Sequence, residues 1–240
     1  AKTEWPNRSI VTHVGRWPNG AAAAYKHQGS AIRNERFSLV NGQALYDLNN
    51  DPSEQHDVAK AFPEAFQSLS GQYNRWWNTV QPHIESVPPI MVGHPAAPVS
   101  HLTCMDWNAS MIEDQGDKYP PWNQGYVRTL ASGGTLEHIA RLGAWKLEFA
   151  RSGTYRITLR TLPEEASDQA AILKAGTATI LLDEQTYTQP IPAGARAVDF
   201  ELQIEHAETT FETKLEAPHS GVSAHGAFFV RIEYLTTASK

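Results

Sequence analysis

Ala44-Leu45-Tyr46-Asp47-Leu48-Asn49-Asn50-Asp51-Pro52-Ser53-Glu54-Gln55-His56-Asp57-Val58-Ala59 reads as a strand that leaves through a tight turn toward a helix. Side chains alternate across a strand, so Tyr46 and Leu48 are expected on one face and Asp47 on the other. Asn49-Asn50-Asp51-Pro52 supplies turn chemistry, and Asp51-Pro52-Ser53 offers capping oxygens ahead of a helical Glu54–Lys60.

Working back from that stretch, Ser9–Val14, Ser30–Arg33 and Phe37–Val40 are short β-prone runs bounded by turn residues. Asn41-Gly42 separates the last of them from Gln43–Leu48, and both residues tolerate positive φ, a hairpin signal. Working forward, Pro63 opens a longer helix at a position where proline is tolerated. Its apolar stripe is Phe66, Leu69, Tyr73, Trp76, Trp77 and Val80, and Pro82 ends it. The first part is therefore expected to be a small antiparallel four-stranded sheet with a packed helix, an α+β unit over 1–92.

Prolines crowd the stretch 82–98, which reads as an extended strap holding the domain boundary. Beyond it, over 93–240, apolar residues recur with period two. Trp145, Leu147 and Phe149 alternate with Lys146 and Glu148; Tyr155, Ile157 and Leu159 with Arg156, Thr158 and Arg160; Phe200, Leu202 and Ile204 with Glu201, Gln203 and Glu205; and Phe228, Val230, Ile232 and Tyr234 with Phe229, Arg231 and Glu233. Such alternation buries one strand face and wets the other, so an antiparallel β-sandwich is expected, without a helix. Ser152-Gly153 reads as a hairpin turn between the first two of these strands, and Pro190–Gly194 as another turn.

A net charge of −6, from 20 basic and 26 acidic residues, argues against a nucleic-acid binder, which would show a basic stripe. No apolar run approaches the roughly 20 residues of a membrane span. Ala1-Lys2-Thr3-Glu4-Trp5-Pro6 carries neither an initiating Met nor an apolar signal core, and reads as the interior of a longer polypeptide. The single cysteine, Cys104, leaves no intrachain disulfide.

The 44–59 stretch resembles a segment near the C-terminus of sulfatases. Ala31-Ile32-Arg33-Asn34-Glu35-Arg36-Phe37-Ser38-Leu39-Val40 is similar to that family's preceding strand pair, and 63–80, with Trp76-Trp77, to its following helix. The likeness runs over about 5–92. A looser one joins Trp122-Asn123-Gln124, Gly143-Ala144-Trp145, Ser152-Gly153-Thr154-Tyr155 and Leu159-Arg160-Thr161-Leu162-Pro163 to the β-sandwich tail of some bacterial sulfatases.

The resemblance implies an alkaline-phosphatase-like enzyme hydrolysing sulfate monoesters. In that family a Cys or Ser within Cys/Ser-x-Pro-x-Arg matures to formylglycine, whose hydrated aldehyde attacks beside a calcium ion held by acidic and Asn side chains. These groups are expected upstream, in an N-terminal catalytic domain of the same polypeptide. Met105-Asp106-Trp107-Asn108 after Cys104 lacks both the proline and the arginine, so Cys104 is expected to be a buried small side chain. No catalytic residue and no metal ligand is expected on this chain, and the isolated residues should be inactive. The implied substrate is a sulfated carbohydrate or an aryl sulfate, and the implied compartment is periplasmic or secreted.

His13, Arg16, Trp17 and His27 come from the first hairpin, which in the family lies nearest the cleft, and are candidates for substrate contact; the alternative is a turn anchor with surface cations. Trp122 and Tyr126, with Tyr187, are candidates for a sugar-stacking platform, against ordinary packing. His94, His101 and His138 lack ligand spacing, and His219 with His225 has no visible third ligand. Glu164-Glu165 and Asp183-Glu184 read as solvated turns. Two rival readings are a stand-alone carbohydrate-binding module and a structural or oligomerising appendage.

Overall fold

The computed structural model describes residues 8–18, 20–84, 86–166, 169–218 and 221–235. Two compact units divide between Ser86 and Val87. The chain is α+β: a four-stranded antiparallel sheet with a packed helix, followed by a β-sandwich.

The first unit is a meander of Ile10–His13 (β1), Ser30–Arg33 (β2), Phe37–Val40 (β3) and Ala44–Asp47 (β4), all antiparallel. Asn41 and Gly42 take φ of 51° and 65°, the left-handed region the β3–β4 connection requires. Pro63–Val80 forms α1 and buries Leu69, Tyr73 and Trp77, spaced one turn apart. Val11, Ile32, Leu39 and Leu45 stand opposite one another across the four strands. They share one sheet face, and it packs on α1.

One expectation for the opening stretch holds and one is corrected: Tyr46 and Asp47 do lie on opposite faces of β4, but the helix expected after it is absent. The inward face of β4 is Leu45 and Asp47, and Tyr46 is half-buried on the other side. Register with Leu39 fixes that phase, and Asp47 tolerates burial because Arg36 clamps it. The Arg36 Nη2 lies 2.8 Å from Asp47 Oδ2, and Asn50 Nδ2 donates to the same oxygen at 2.9 Å. Glu54–Lys60 is not a helix. Glu54 sits at φ 53°, and the Asp51 carboxylate accepts from the Gln55 and His56 amides, both at 2.7 Å. The chain then returns along β4. Asp57 Oδ1 accepts from the Leu45 amide at 3.0 Å, and the Val58 amide donates to the Leu45 carbonyl at 2.7 Å. The segment closes a free sheet edge instead of coiling.

The Arg36 hydrogen bond, ahead of those from Asn50 and the Asn49 amide, holds the Asp47 carboxyl below its ordinary value of 3.8. A carboxylate depressed by folding adds stability above its unfolded value and loses it as pH falls through the folded one. Asp47→Asn should therefore be less stable than the parent at pH 7, with the gap narrowing below about pH 4. Urea titrations at several pH values check this, and a gap of constant size down to pH 2 contradicts it.

The second unit holds Ile90–Val92 (β5), Val99–Thr103 (β6), Gln124–Ala131 (α2), Ala144–Phe149 (β7), Gly153–Arg160 (β8), Gly176–Leu182 (β9), Gln185–Ile191 (β10), Val198–Ile204 (β11), Ala207–Ala217 (β12), Val222–His225 (β13) and Phe229–Leu235 (β14). One sheet runs β10-β9-β12-β7-β5 with β13 added to β12, and the other runs β11-β8-β14-β6. Their inner faces meet in one core around Trp145, Phe149, Tyr155, Phe211, Phe228 and Ile232.

Three departures from the sequence reading stand out here. Ser152-Gly153 is not a hairpin turn, because β7 pairs with β12 while β8 pairs with β11 and β14. The chain arches from one sheet to the other, so Phe149 meets Tyr155 edge-on at 4.9 Å across the core. β5 runs parallel to β7, making the sandwich antiparallel in all but this pair. A helix, α2, is present, started by Asn123, whose Oδ1 accepts from the Tyr126 amide at 3.0 Å.

Candidate functional site

The loop after β1 leads into the first set of candidates. The His13 Nδ1 accepts from the Gly15 amide at 2.9 Å, which leaves Nε2 as the protonated nitrogen facing the Tyr25 carbonyl at 3.1 Å. Both ring nitrogens are thereby used by the backbone. Trp17 is half-buried, its ring 5.4 Å from His13 and 6.5 Å from Trp77. His27 lies 5.2 Å from the Tyr73 ring, and the Tyr73 hydroxyl donates to the Lys26 carbonyl. Burial, then the charge of Lys26 and then His13, pushes the His27 pKa down. His13, Trp17 and His27 are thus gathered around Trp77 and Tyr73 of α1. Arg16, on the same loop, is exposed. The arrangement fixes the loop on the helix and leaves the Arg16 guanidinium as its group open to an anion.

The second set sits before and inside α2. Trp122 is 50% exposed, and its ring is met edge-on by Tyr126 at 5.5 Å and by Tyr119 at 5.8 Å. Tyr119, itself 59% exposed, was not singled out from the sequence. Its signal was there in Tyr119-Pro120-Pro121-Trp122, where the prolines stiffen the backbone between two aromatics. Two further bonds pin Tyr119: its amide donates to the His138 carbonyl, and its carbonyl accepts from the Ala140 amide. The Asn123 cap fixes Tyr126 one turn away. The result is a rigid group of three rings, two of them largely in solvent. Tyr187 lies elsewhere, on β10, with its hydroxyl donating to Gln185 Oε1 at 2.6 Å.

Several of the remaining titratable residues have structural partners. Asp183 accepts from the Thr209 hydroxyl at 2.8 Å and from the Thr210 amide at 2.9 Å, and Arg160 donates to Glu164 at 3.3 Å. His225 is buried and stacked on Phe228, with Nδ1 2.8 Å from the Gly226 carbonyl. His219 lies outside the described residues. No group of three or more His, Cys, Asp or Glu side chains suited to a metal ion occurs among the described residues.

Cys104 is 2% exposed, and its thiol donates to the Pro121 carbonyl at 3.3 Å. Burial pushes that thiol up to about 12. Thiolate is the reactive form, so the native protein at pH 8 should react with a disulfide reagent at least a hundredfold more slowly than the unfolded chain. Rapid native labelling would contradict this. These residues do not fit a formylglycine or calcium centre: the thiol is enclosed, lacks the motif, and faces a carbonyl.

No family model and no curated protein matches the chain. Among solved structures, a ruminal GH26 endo-β-1,4-mannanase is similar at TM-score 0.34 and 14% identity, over 58% of this chain and 26% of that one. CBM35 of Abf62 from Cellvibrio japonicus is similar at TM-score 0.27 and 11% identity, over 41% of this chain and 70% of that one. A cupin domain from Bordetella pertussis Tohama I reaches TM-score 0.16 and 14% identity, over 40% and 83%. None of the three is a sulfatase, and likenesses this slight bear on neither fold nor ligand.

Proposed function

We propose that this chain is the non-catalytic C-terminal part of a sulfatase acting on sulfate monoesters of a carbohydrate or aryl compound. One observation carries the reading. The residues of the resemblance form a coherent device: β1–β4 under α1, locked by Arg36–Asp47 and by the return of Asp57-Val58 along β4. The formylglycine and calcium would belong to a catalytic domain of the same polypeptide, which this unit would buttress. The sheet face turned from α1 suits that role. It carries Ile10, 43% exposed, with Ala31, Val40 and Tyr46, flanked by Thr12 and Arg33. The loop bearing His13, Arg16, Trp17 and His27 would line one wall of the cleft, with Arg16 toward sulfate. Assay of the isolated chain on an aryl sulfate, with and without calcium, tests the division of labour: no turnover is expected, and measurable turnover would overturn it.

A second reading, carbohydrate binding by the sandwich, is favoured by Tyr119, Trp122 and Tyr126. Exposed aromatic rings held rigidly lose little entropy on binding and stack on the apolar faces of sugars. Affinity gels containing plant or algal polysaccharides should retard the protein, and Trp122→Ala should remove the retardation. Equal mobility of parent and variant in every gel sinks this reading.

A further inference from the structure

The six-stranded sheet ends in β10 and the four-stranded sheet ends in β11. Between these edges, closed off by the β9–β10 turn and the start of β12, lies a groove of about 520 Å³. That size falls in the range of small-ligand sites, about 300–1,000 Å³. Leu182 and Ile204 form its floor, Tyr187 its aromatic wall, and Glu184, Gln185 and Glu205 its polar rim. We infer that this groove is a saccharide-binding site selective for uncharged sugar residues, distinct from the Trp122 group and independent of the sulfatase reading.

The chemistry argues for a sugar on two grounds. A sugar hydroxyl both donates and accepts, so its site must do the same. The carboxylates of Glu184 and Glu205, both exposed, are acceptors with room for charge-assisted bonds. Gln185 spends its Oε1 on the Tyr187 hydroxyl, which leaves its NH2 group to donate. That same bond fixes the Tyr187 ring, which with Leu182 and Ile204 offers an apolar surface to the C–H face of a pyranose.

The charge of the lining argues for an uncharged sugar. Its ionisable members are Asp183, Glu184 and Glu205, with no Lys, Arg or His among them. Asp183 holds the turn onto β12 through Thr209 and Thr210, so the groove's shape depends on an acid that is already engaged. A sulfated or uronic residue would meet the carboxylates of Asp183, Glu184 and Glu205 with no cation in the lining to offset them. In a polysaccharide with sulfated and unsulfated residues, the groove would hold the unsulfated ones.

The test uses the whole chain carrying Trp122→Ala, so that the exposed ring group does not contribute. Calorimetric titrations with cellotetraose, xylotetraose and mannotetraose are compared with a sulfated tetrasaccharide. At least one neutral sugar should bind. Tyr187→Ala should weaken it at least tenfold, and Glu184→Gln with Glu205→Gln, at exposed positions that spare the fold, at least fivefold. The sulfated sugar should bind at least tenfold more weakly. The inference is overturned if no neutral sugar binds, if the rim double variant binds undiminished, or if the sulfated sugar binds as well as the neutral one. It is also overturned if calcium alone occupies the rim and sugar does not displace it.

Discussion

Trp145→Ala is expected to cost the sandwich about 3–5 kcal/mol, the range for removing a large buried aromatic. Trp145 is fully buried in β7 and packs on Phe211 at 5.5 Å and on Trp107 at 5.6 Å. Its Nε1 donates to the Thr103 carbonyl at 3.0 Å, a bond from one sheet to β6 of the other. The variant loses the ring contacts, leaves a cavity and orphans a carbonyl, and these losses act in one direction. Domains of this kind are held by only about 5–15 kcal/mol, so the second unit should melt far earlier or fail to fold. The neighbourhood is unforgiving because Trp107 is already wedged in, with a Cβ at Gly143 or Gly226 destined to come within 2.5 and 2.6 Å of its ring. Trp145→Phe should recover more than half of the loss. Urea unfolding followed by tryptophan fluorescence and circular dichroism checks both variants, and a loss under 1 kcal/mol for the alanine variant would contradict the packing described.

Trp77→Ala should do comparable damage to the first unit, again about 3–5 kcal/mol, and it also separates two views of the loop after β1. Trp77 is buried under the sheet and touches His13 at 5.8 Å and Trp17 at 6.5 Å. If the loop is anchored by these rings, the variant should expose Trp17 and raise the hydrogen-exchange rates of the Gly15 amide and its neighbours along with the global loss. Arg16→Ala should leave stability within about 0.5 kcal/mol, because its side chain is exposed. A Trp77 variant with an intact, protected loop would show that His13 and Trp17 are held by something other than α1.

What could be read in advance follows a physical rule. β1–β4 were legible because short alternating runs are cut by residues such as Asn41-Gly42 that adopt φ of 51° and 65°. α1 was legible because Leu69, Tyr73 and Trp77 recur at helical spacing, and β7, β8, β11 and β14 because their inward positions are large and apolar. β12 escaped notice because Thr209 and Thr213 fill inward positions, blunting the contrast between faces. Its strand partners were beyond reach for another reason: alternation states which face is buried, never which strand lies alongside, so the β7–β8 arch looked like a hairpin. Alternation placed Asp47 opposite Tyr46 in β4 but could not say that Asp47's face is the buried one, because Arg36, eleven residues away, is what makes a buried carboxylate tolerable. Of the candidate sites, Trp122 and Tyr126 are found together on the surface. Tyr119, three residues before Trp122, carries a local signal in the two prolines between them, but its pairing with the segment around Ile139, which fixes its place, has none. The groove beside Tyr187 is assembled from β10 and β11, which follow one another in the chain but end different sheets, and alternation does not say which sheet a strand joins.

The claim on which the functional account turns is that these residues accompany a formylglycine centre carried by the same polypeptide. Peptide mass spectrometry of the intact natural polypeptide, purified from its source, tests it most directly. The account predicts a peptide preceding Ala1 in which the Cys or Ser of a Cys/Ser-x-Pro-x-Arg sequence is found as formylglycine. An intact polypeptide without that motif would contradict it and leave the sandwich to be explained as a module in its own right.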